Sequence, residues 1–252
     1  MIKITVCLLT FNSARTLPAV LDPVFRFADQ VIILDSGSTD ETLSVCRQYG
    51  VEPHFCPYEM HGKQMNNAIA LAEHDWVFCL DSDEILDEET VTCLHELKAS
   101  PAPLPPEQAW RISRYWYVLG ERVSTLYPVS SPDYPVRLFN RTVARFNDRP
   151  VDDEVVGHMQ TRIIPGHVRH ETFHSLHEMF SKMNTYTTRL VRFRKIRPSL
   201  LRGIISAVGA FFKWYLMSGA WRQGKIGAAT GLYASLYSFL KYFKAWYQQS
   251  GK

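Results

Sequence analysis

Apolar and polar positions in the first hundred residues alternate between the strand and helix periods. Ile4 to Thr10 is a continuous apolar run, as expected of a strand buried on both faces. A helical segment follows Asn12, and Val31-Ile32-Ile33-Leu34 predicts a second buried strand. Ser38-Thr39-Asp40-Glu41 has the Ser-x-x-Glu spacing of a capping box, which predicts a helix running to Gly50. Lys63 to Glu73, rich in Ala and Asn, predicts another helix. Trp76 to Leu80 predicts a strand that delivers Asp81-Ser82-Asp83-Glu84 at its carboxyl end. Strands and helices in alternation predict an α/β fold with a mostly parallel, Rossmann-like sheet flanked by helices.

Further along, four prolines between Ser100 and Pro106 mark a loop or a subdomain boundary. Trp110 to Val118 and Arg137-Leu138-Phe139 predict strands, and Pro165-Gly166 predicts a turn. Ser175-Leu176-His177-Glu178 is a second capping box, opening a long helix that ends near Pro198. These signals divide the chain into a domain over residues 1–198, with halves 1–100 and 107–198, and an amphipathic helical tail over 199–252.

Composition narrows the class. Hydrophobic residues make up 46% of the 252, which excludes intrinsic disorder for the bulk of the chain. The five cysteines are odd in number, widely spaced and lack any Cys-x-x-Cys pair. That excludes a zinc knuckle or a disulfide framework and predicts reduced cysteines, most of them buried. The opening Met-Ile-Lys-Ile-Thr-Val reads as a strand and not as a signal peptide, so a cytoplasmic setting is expected.

Charge is unevenly placed. Glu178 is the last acidic residue, and the 74 residues after it carry 13 Lys and Arg with no acid. The same 74 hold 15 of the 32 aromatics. A basic, aromatic segment points to an anionic membrane surface or to nucleic acid. The run Ile204-Ile205, Val208, Phe211-Phe212 and Trp214 to Met217, broken by Lys213, favours the membrane headgroup layer over nucleic acid. It is too interrupted for a clear transmembrane span. A second stretch, Lys225 to Tyr247, is spaced by small residues that permit close helix contact. The alternative is that both helices simply pack on their own domain.

Ligands of open α/β sheets bind beyond the carboxyl ends of the strands. Three such ends here are polar: Thr10-Phe11-Asn12, Asp35 to Asp40, and Asp81 to Glu84. An Asp-x-Asp directly after an apolar strand suits a hard divalent cation, Mg²⁺ or Mn²⁺, shared with substrate phosphates. Alone, such a pair also caps helices. The combination says more. Asp35-Ser-Gly-Ser-Thr-Asp40-Glu-Thr, Gly62-Lys63-Gln64-x-x-Asn67 and Asp75 through Glu84 together resemble the family-2 inverting glycosyltransferases, whose fold is the GT-A nucleotide-sugar-binding sheet. Tyr134-x-x-Arg137-Leu-Phe, Asp153-Glu154-Val, His170-x-x-Phe-x-Ser-Leu, Lys182-x-Asn-x-Tyr186 and the basic tail resemble the lipopolysaccharide-core glucosyltransferase-like branch.

The resemblance implies a role for each position. Thr10 and Asp35 would contact the nucleoside of a nucleotide-sugar donor, a UDP-sugar first among the candidates. Ser36 stands where many members carry a second Asp. Asp81 and Asp83 would form the metal motif, and Asp83 would be the direct ligand. Lys63, Gln64 and His170 would lie near the phosphates or the donor sugar, and Arg137 would bind diphosphate or an anionic acceptor. Inverting transfer needs a carboxylate outside the metal motif as general base on the acceptor hydroxyl. Glu154 and Asp153 are the candidates, Glu154 first. Three adjacent acids, Asp152 to Glu154, are expected to raise one another's pKa.

The acceptor implied is a lipid-linked or lipopolysaccharide-core saccharide, met at the inner face of the cytoplasmic membrane. A polyprenyl-phosphate acceptor is the alternative within the class. A non-catalytic nucleotide-binding scaffold and a nucleotidyltransferase are rivals outside it. His167, His170, His174 and His177 have spacings that would share a face on one helix, but the capping box at Ser175 starts the helix after His174, which argues against a zinc site.

Overall fold

The computed structural model describes residues 2–250. The chain divides into two compact units, Met1–Arg114 with Tyr134–His170, and Tyr115–Asp133 with Glu171–Lys252.

The first unit is built on a mixed sheet. Its elements in chain order are β1 (Ile4–Thr10), α1 (Leu17–Val24), β2 (Gln30–Asp35), α2 (Thr42–Gln48), β3 (His54–Phe55), α3 (His61–Ala70), β4 (Trp76–Asp81), β5 (Glu84–Leu86) and α4 (Glu88–Ala99). β6 (Gln108–Val118) comes next. The short strands β7 (Glu121–Arg122), β8 (Thr125–Leu126) and β9 (Val129–Ser130) follow it in the second unit. The chain then returns through β10 (Val136–Asn140), β11 (Arg145–Phe146), β12 (Val155–Val156) and β13 (Gln160–Phe173). The strand order is β3-β2-β1-β4-β10-β6-β13-β5. β3, β2, β1 and β4 are parallel, while β10 joins β4 antiparallel and β5 joins β13 antiparallel. The expected parallel sheet is therefore one half of a larger mixed sheet.

Side-chain alternation explains the continuous apolar runs. Ile4, Val6 and Leu8 of β1, with Trp76, Phe78 and Leu80 of β4, join the core that contains α1. Cys7, Val77 and Cys79 face the opposite way, onto Met65, Ala68 and Ile69 of α3. Both faces are covered, so both sets must be apolar.

Two local expectations fail. Ser38 does not cap a helix: its hydroxyl donates to Asp35 Oδ2 at 2.5 Å, and α2 begins only at Thr42, whose N–H donates to Asp40 Oδ1 at 3.0 Å. Pro165-Gly166 does not turn the chain but runs inside β13. Gly166 takes φ +85° there, and a Cβ would stand 2.4 Å from Thr90 Oγ1 at the start of α4. A glycine in a strand can thus mark close approach and not a turn.

The second unit is mostly helical: α5 (Leu176–Phe193), α6 (Leu200–Phe211), a π-helical turn (Phe212–Met217), a 3-10 turn (Ala220–Gln223) and α7 (Gly224–Ser250). Val118, Leu126, Phe173, Met179, Met183, Ile226, Tyr233 and Tyr237 form its core. Here Ser175 does cap the helix, its Oγ accepting from Glu178 N–H at 3.1 Å, while Glu178 Oε2 accepts from His174 N–H at 2.9 Å. α5 shares this unit with the tail helices, so the chain is not partitioned at residue 198. His167 and His170 lie on β13 and His177 on α5, so the four histidines do not share a helix. All five cysteines are free, with Cys7, Cys46 and Cys79 buried.

Candidate active site

The site is built around the carboxyl end of β4. Asp81 is the last residue of that strand, and a two-residue turn, Ser82-Asp83, leads into β5. The turn is fastened from the β1–α1 loop: Thr16 Oγ1 donates to Ser82 O at 2.7 Å, and the hydroxyls of Ser13 and Ser82 lie 2.6 Å apart.

Register brings the cations in. In the β10–β6 pairing, Leu138 faces Trp110 and Val136 faces Arg111, so Arg137 is the extra residue of a bulge. Its buried guanidinium bonds Asp81 Oδ2 at 3.2 Å and also Glu84 Oε1. Arg114 Nη1 meets the same Glu84 oxygen at 2.7 Å. Glu84 is fully buried and carries two guanidiniums. Burial opposes the charge on Arg137, yet Glu84 and Asp81 raise its pKa above the ordinary value. On β13, His170 pairs in register with Glu84, and its Nε2 lies 3.2 Å from Asp83 Oδ1.

His61, the first residue of α3, connects both sides of the site. Its Nε2 is 2.9 Å from Asp81 Oδ1 and its Nδ1 is 2.7 Å from Asp153 Oδ2. Two carboxylates are best served by an imidazolium that donates from both nitrogens. Burial works against that charge, but Asp81 and Asp153 hold the pKa of His61 well above the ordinary histidine value. Asp81 is also disfavoured by burial, and His61, Arg137 and His170 nonetheless hold it well below the usual carboxylate range. Gly62 makes the approach possible, since a Cβ there would sit 2.6 Å from Asn147 O and 3.3 Å from Asp153. His61, Asp81, Arg114, Arg137, Asp153 and His158 are among the residues lining a cavity of about 620 Å³.

The structure sorts the residues picked from sequence. Asp81, Asp83, Arg137, His170 and Asp153 come together. Glu154 lines the same cavity, but its side chain is 57% exposed and pairs with Arg149 at 2.7 Å. Asp153 and Glu154 thus turn to different partners and do not form the mutually repelling cluster expected. Thr10 and Asp35 are buried and bonded to each other at 2.9 Å. Asp35 also accepts from Gly37 N–H, Ser38 N–H and Ser38 Oγ, so its carboxylate shapes the strand-end loop with its full accepting capacity. Gln64 is buried and ties α3 to that loop, donating to Ser36 Oγ at 3.1 Å and Cys56 O at 2.6 Å. Lys63 turns away to an exposed pair with Glu59.

Three participants escape the sequence reading: His61, Glu84 and Arg114. His61 and Glu84 sit directly beside the Gly-Lys-Gln and Asp-x-Asp motifs, so proximity was the available signal. Arg114 had none, because its role depends on strand register.

The donor set also bears on a cation. Asp83 and His170 offer a carboxylate and an imidazole side by side, whereas both oxygens of Asp81 are engaged by His61 and Arg137. Among the described residues no group of three His, Cys, Asp or Glu forms a closed metal cage. With only these two donors, a divalent cation here would take the rest of its shell from phosphate oxygens and water.

Comparison with known proteins gives this arrangement its class. Residues 5–100 match glycosyl transferase family 2. The chain is 25% identical over 248 residues to the lipopolysaccharide core biosynthesis glycosyltransferase LpsC of Rhizobium meliloti (strain 1021), covering 92% of this chain and 88% of that one. It is 33% identical over 87 residues to an uncharacterized glycosyltransferase of Rickettsia felis, covering 34% of this chain but only 31% of the relative. Among solved structures, glucosyl-3-phosphoglycerate synthase of Mycobacterium tuberculosis with Mn²⁺, uridine diphosphate and phosphoglyceric acid aligns at 17% identity and TM-score 0.49. That alignment covers 79% of this chain and 81% of the synthase. In another complex of the same enzyme the match spans 44% of that chain.

Proposed function

We propose that this enzyme transfers a hexose, with inversion, from a nucleotide-diphosphate sugar to a lipid-linked or lipopolysaccharide-core saccharide at the cytoplasmic membrane surface. The observation that carries the chemistry is His61, which ties the Asp-x-Asp strand end to Asp153 across one cavity. A donor motif and a carboxylate outside it, held in one fixed relation, are what single displacement at an anomeric carbon requires. The full-length similarity to LpsC supports the choice of acceptor. The donor proposed is a UDP-sugar, following the family resemblance.

Asp153 is the base in this reading. It is the acid oriented inside the site, while Glu154 is committed to Arg149 at the surface. Asp153 takes the proton of the acceptor hydroxyl as that oxygen attacks the anomeric carbon. Arg137 places positive charge beside Asp81, where the departing diphosphate would lie. Asp83 and His170 would hold the divalent cation, which when bound supplies charge neutralisation on the leaving group. Thr10, Asp35 and Gln64 act through the shape of the β2 loop that would face the nucleoside.

Thermal shifts with UDP, GDP, ADP and CMP, each with and without Mn²⁺, test this on the wild type and Asp83→Ala. One nucleotide should stabilise the wild type only with metal, and Asp83→Ala should lose that shift and lower sugar transfer about a thousandfold. A folded wild type that no nucleotide shifts would overturn the reading.

A further inference from the structure

The second unit presents a surface that the chemistry above does not use. Leu201, Ile204, Ile205 and Val208 of α6, with Phe212 at the start of the π-helical turn, follow the spacing of one helical face, and each is between 49% and 67% exposed. The opposite face is occupied. Gly203 and Ala210 are buried, a Cβ on Gly203 would stand 3.3 Å from Phe239 and Tyr242 of α7, and Ser235 Oγ of α7 donates to Ala207 O at 3.1 Å. The Leu200–Met217 stretch meets the length and composition of a membrane span, yet Gly203 and Ala210 are its only buried residues. A patch this apolar on a soluble surface marks an interaction site.

Charge identifies the partner. Lys195, Arg197, Arg202, Lys213, Arg222 and Lys225 are exposed on and around the same helices, and no acidic side chain follows Glu178. Apolar side chains within a ring of cations match the boundary between acyl chains and anionic headgroups. We infer that α6 and the π-helical turn after it lie in the plane of an anionic lipid monolayer, with Leu201, Ile204, Ile205, Val208 and Phe212 inserted among the acyl chains and the flanking Lys and Arg on lipid phosphates. The helix lies flat and does not cross. Its eighteen residues extend about 27 Å, short of a bilayer core of about 30 Å, and its inner face is already held by α7. The inference rests on the membrane-bound acceptor only for its purpose; the surface stands without it.

Flotation of the full chain with phosphatidylcholine vesicles, with or without phosphatidylglycerol, tests it. The wild type should float with phosphatidylglycerol vesicles and less with phosphatidylcholine alone, and salt should weaken binding. The double variant Ile205→Ser, Val208→Ser should bind at least about tenfold more weakly while keeping its circular dichroism spectrum. A Val208→Trp variant should be quenched by brominated lipid. Three results overturn the inference: no flotation with anionic vesicles, unchanged flotation of the double variant, or a wild-type dimer in solution that the double variant dissolves, which would make the occupant a second copy. Resistance to alkaline carbonate extraction would replace the in-plane helix with a span. Nucleotide binding measured on the same samples separates this outcome from failure of the transferase reading, since the variants leave the sheet untouched.

Discussion

The two units break the usual partition of residues in opposite ways. The first buries charge, with Glu84 and Arg137 nearly inaccessible and paired to each other. The second exposes apolar surface along α6 and holds a cation, Lys244, on neutral oxygens alone: Asn184 O and Oδ1, Thr187 Oγ1 and Thr188 Oγ1, all within 2.8 Å. A buried charge is tolerated only where a partner is built for it, so it marks chemistry. An exposed apolar stripe is tolerated only where a partner covers it, so it marks an interface.

The sharpest way to break this comparison is to remove Glu84. Glu84→Ala leaves the buried Arg137 and the half-buried Arg114 without their shared carboxylate, and the loss of one partner from a buried pair costs about 3–5 kcal/mol. Urea denaturation should show a lowered midpoint, or a chain that does not fold. Glu84→Gln should recover part of the loss by keeping an acceptor oxygen. A Glu84→Ala protein as stable as wild type would mean the network is not what holds β5 to β10 and β6.

The next effect separates the two adjacent acids. Asp153→Asn should lower turnover about a hundred- to a thousandfold with donor binding retained, and Glu154→Gln should stay within a few-fold of wild type. UDP release from UDP-glucose with Mn²⁺ reads both. The reverse ranking would restore Glu154 as the base and leave His61 holding a merely structural carboxylate.

Much of this was legible beforehand, and the reason is local. β1, β2 and β4 announce themselves because both faces are buried, and Asp81 and Asp83 follow from the end of an apolar strand. The inward turn of Asp153 and the outward turn of Glu154 were not legible. They depend on His61 arriving from α3, 92 residues away in sequence, and on Arg149 drawing Glu154 outward. The partners of Asp35 were hidden for a related reason, since the donors that surround it gather only when the loop closes. The mixed half of the sheet was hidden because β10 and β13 pair by register with strands remote in sequence. The tail was readable as basic and apolar. Only the structure shows which side of α6 is spent on α7.

Removing the exposed stripe should cost little. Ile205→Ser, Val208→Ser is expected to change unfolding stability by no more than about 1 kcal/mol, because exposed substitutions away from packed features are nearly neutral. Glu84 and this pair then form matched opposites: one carboxylate the fold requires, and two large apolar groups it does not. A loss of several kcal/mol would mean the stripe packs within its own chain, and differential scanning calorimetry would show it.

The smallest effect sharpens the contrast between the two kinds of held cation. Burial lowers the pKa of Lys244, and no carboxylate opposes it. Between its folded and unfolded pKa the unfolded chain binds the extra proton, so stability rises with pH across that interval. Below it Lys244 is charged in both states and the desolvation penalty is present in full; above the unfolded value of about 10.4 it is gone. Lys244→Met lacks the titration. Urea midpoints of wild type and variant, compared at neutral and at alkaline pH, should therefore shift in favour of the wild type as pH rises. Lys244 is partly exposed and screened, which keeps the shift to a few tenths of a kcal/mol. A shift of opposite sign would mean that four neutral oxygens stabilise the ammonium better than water does. A cation on neutral oxygens would then belong with Arg137, and the two units would differ in the partner chosen and not in whether the charge is held.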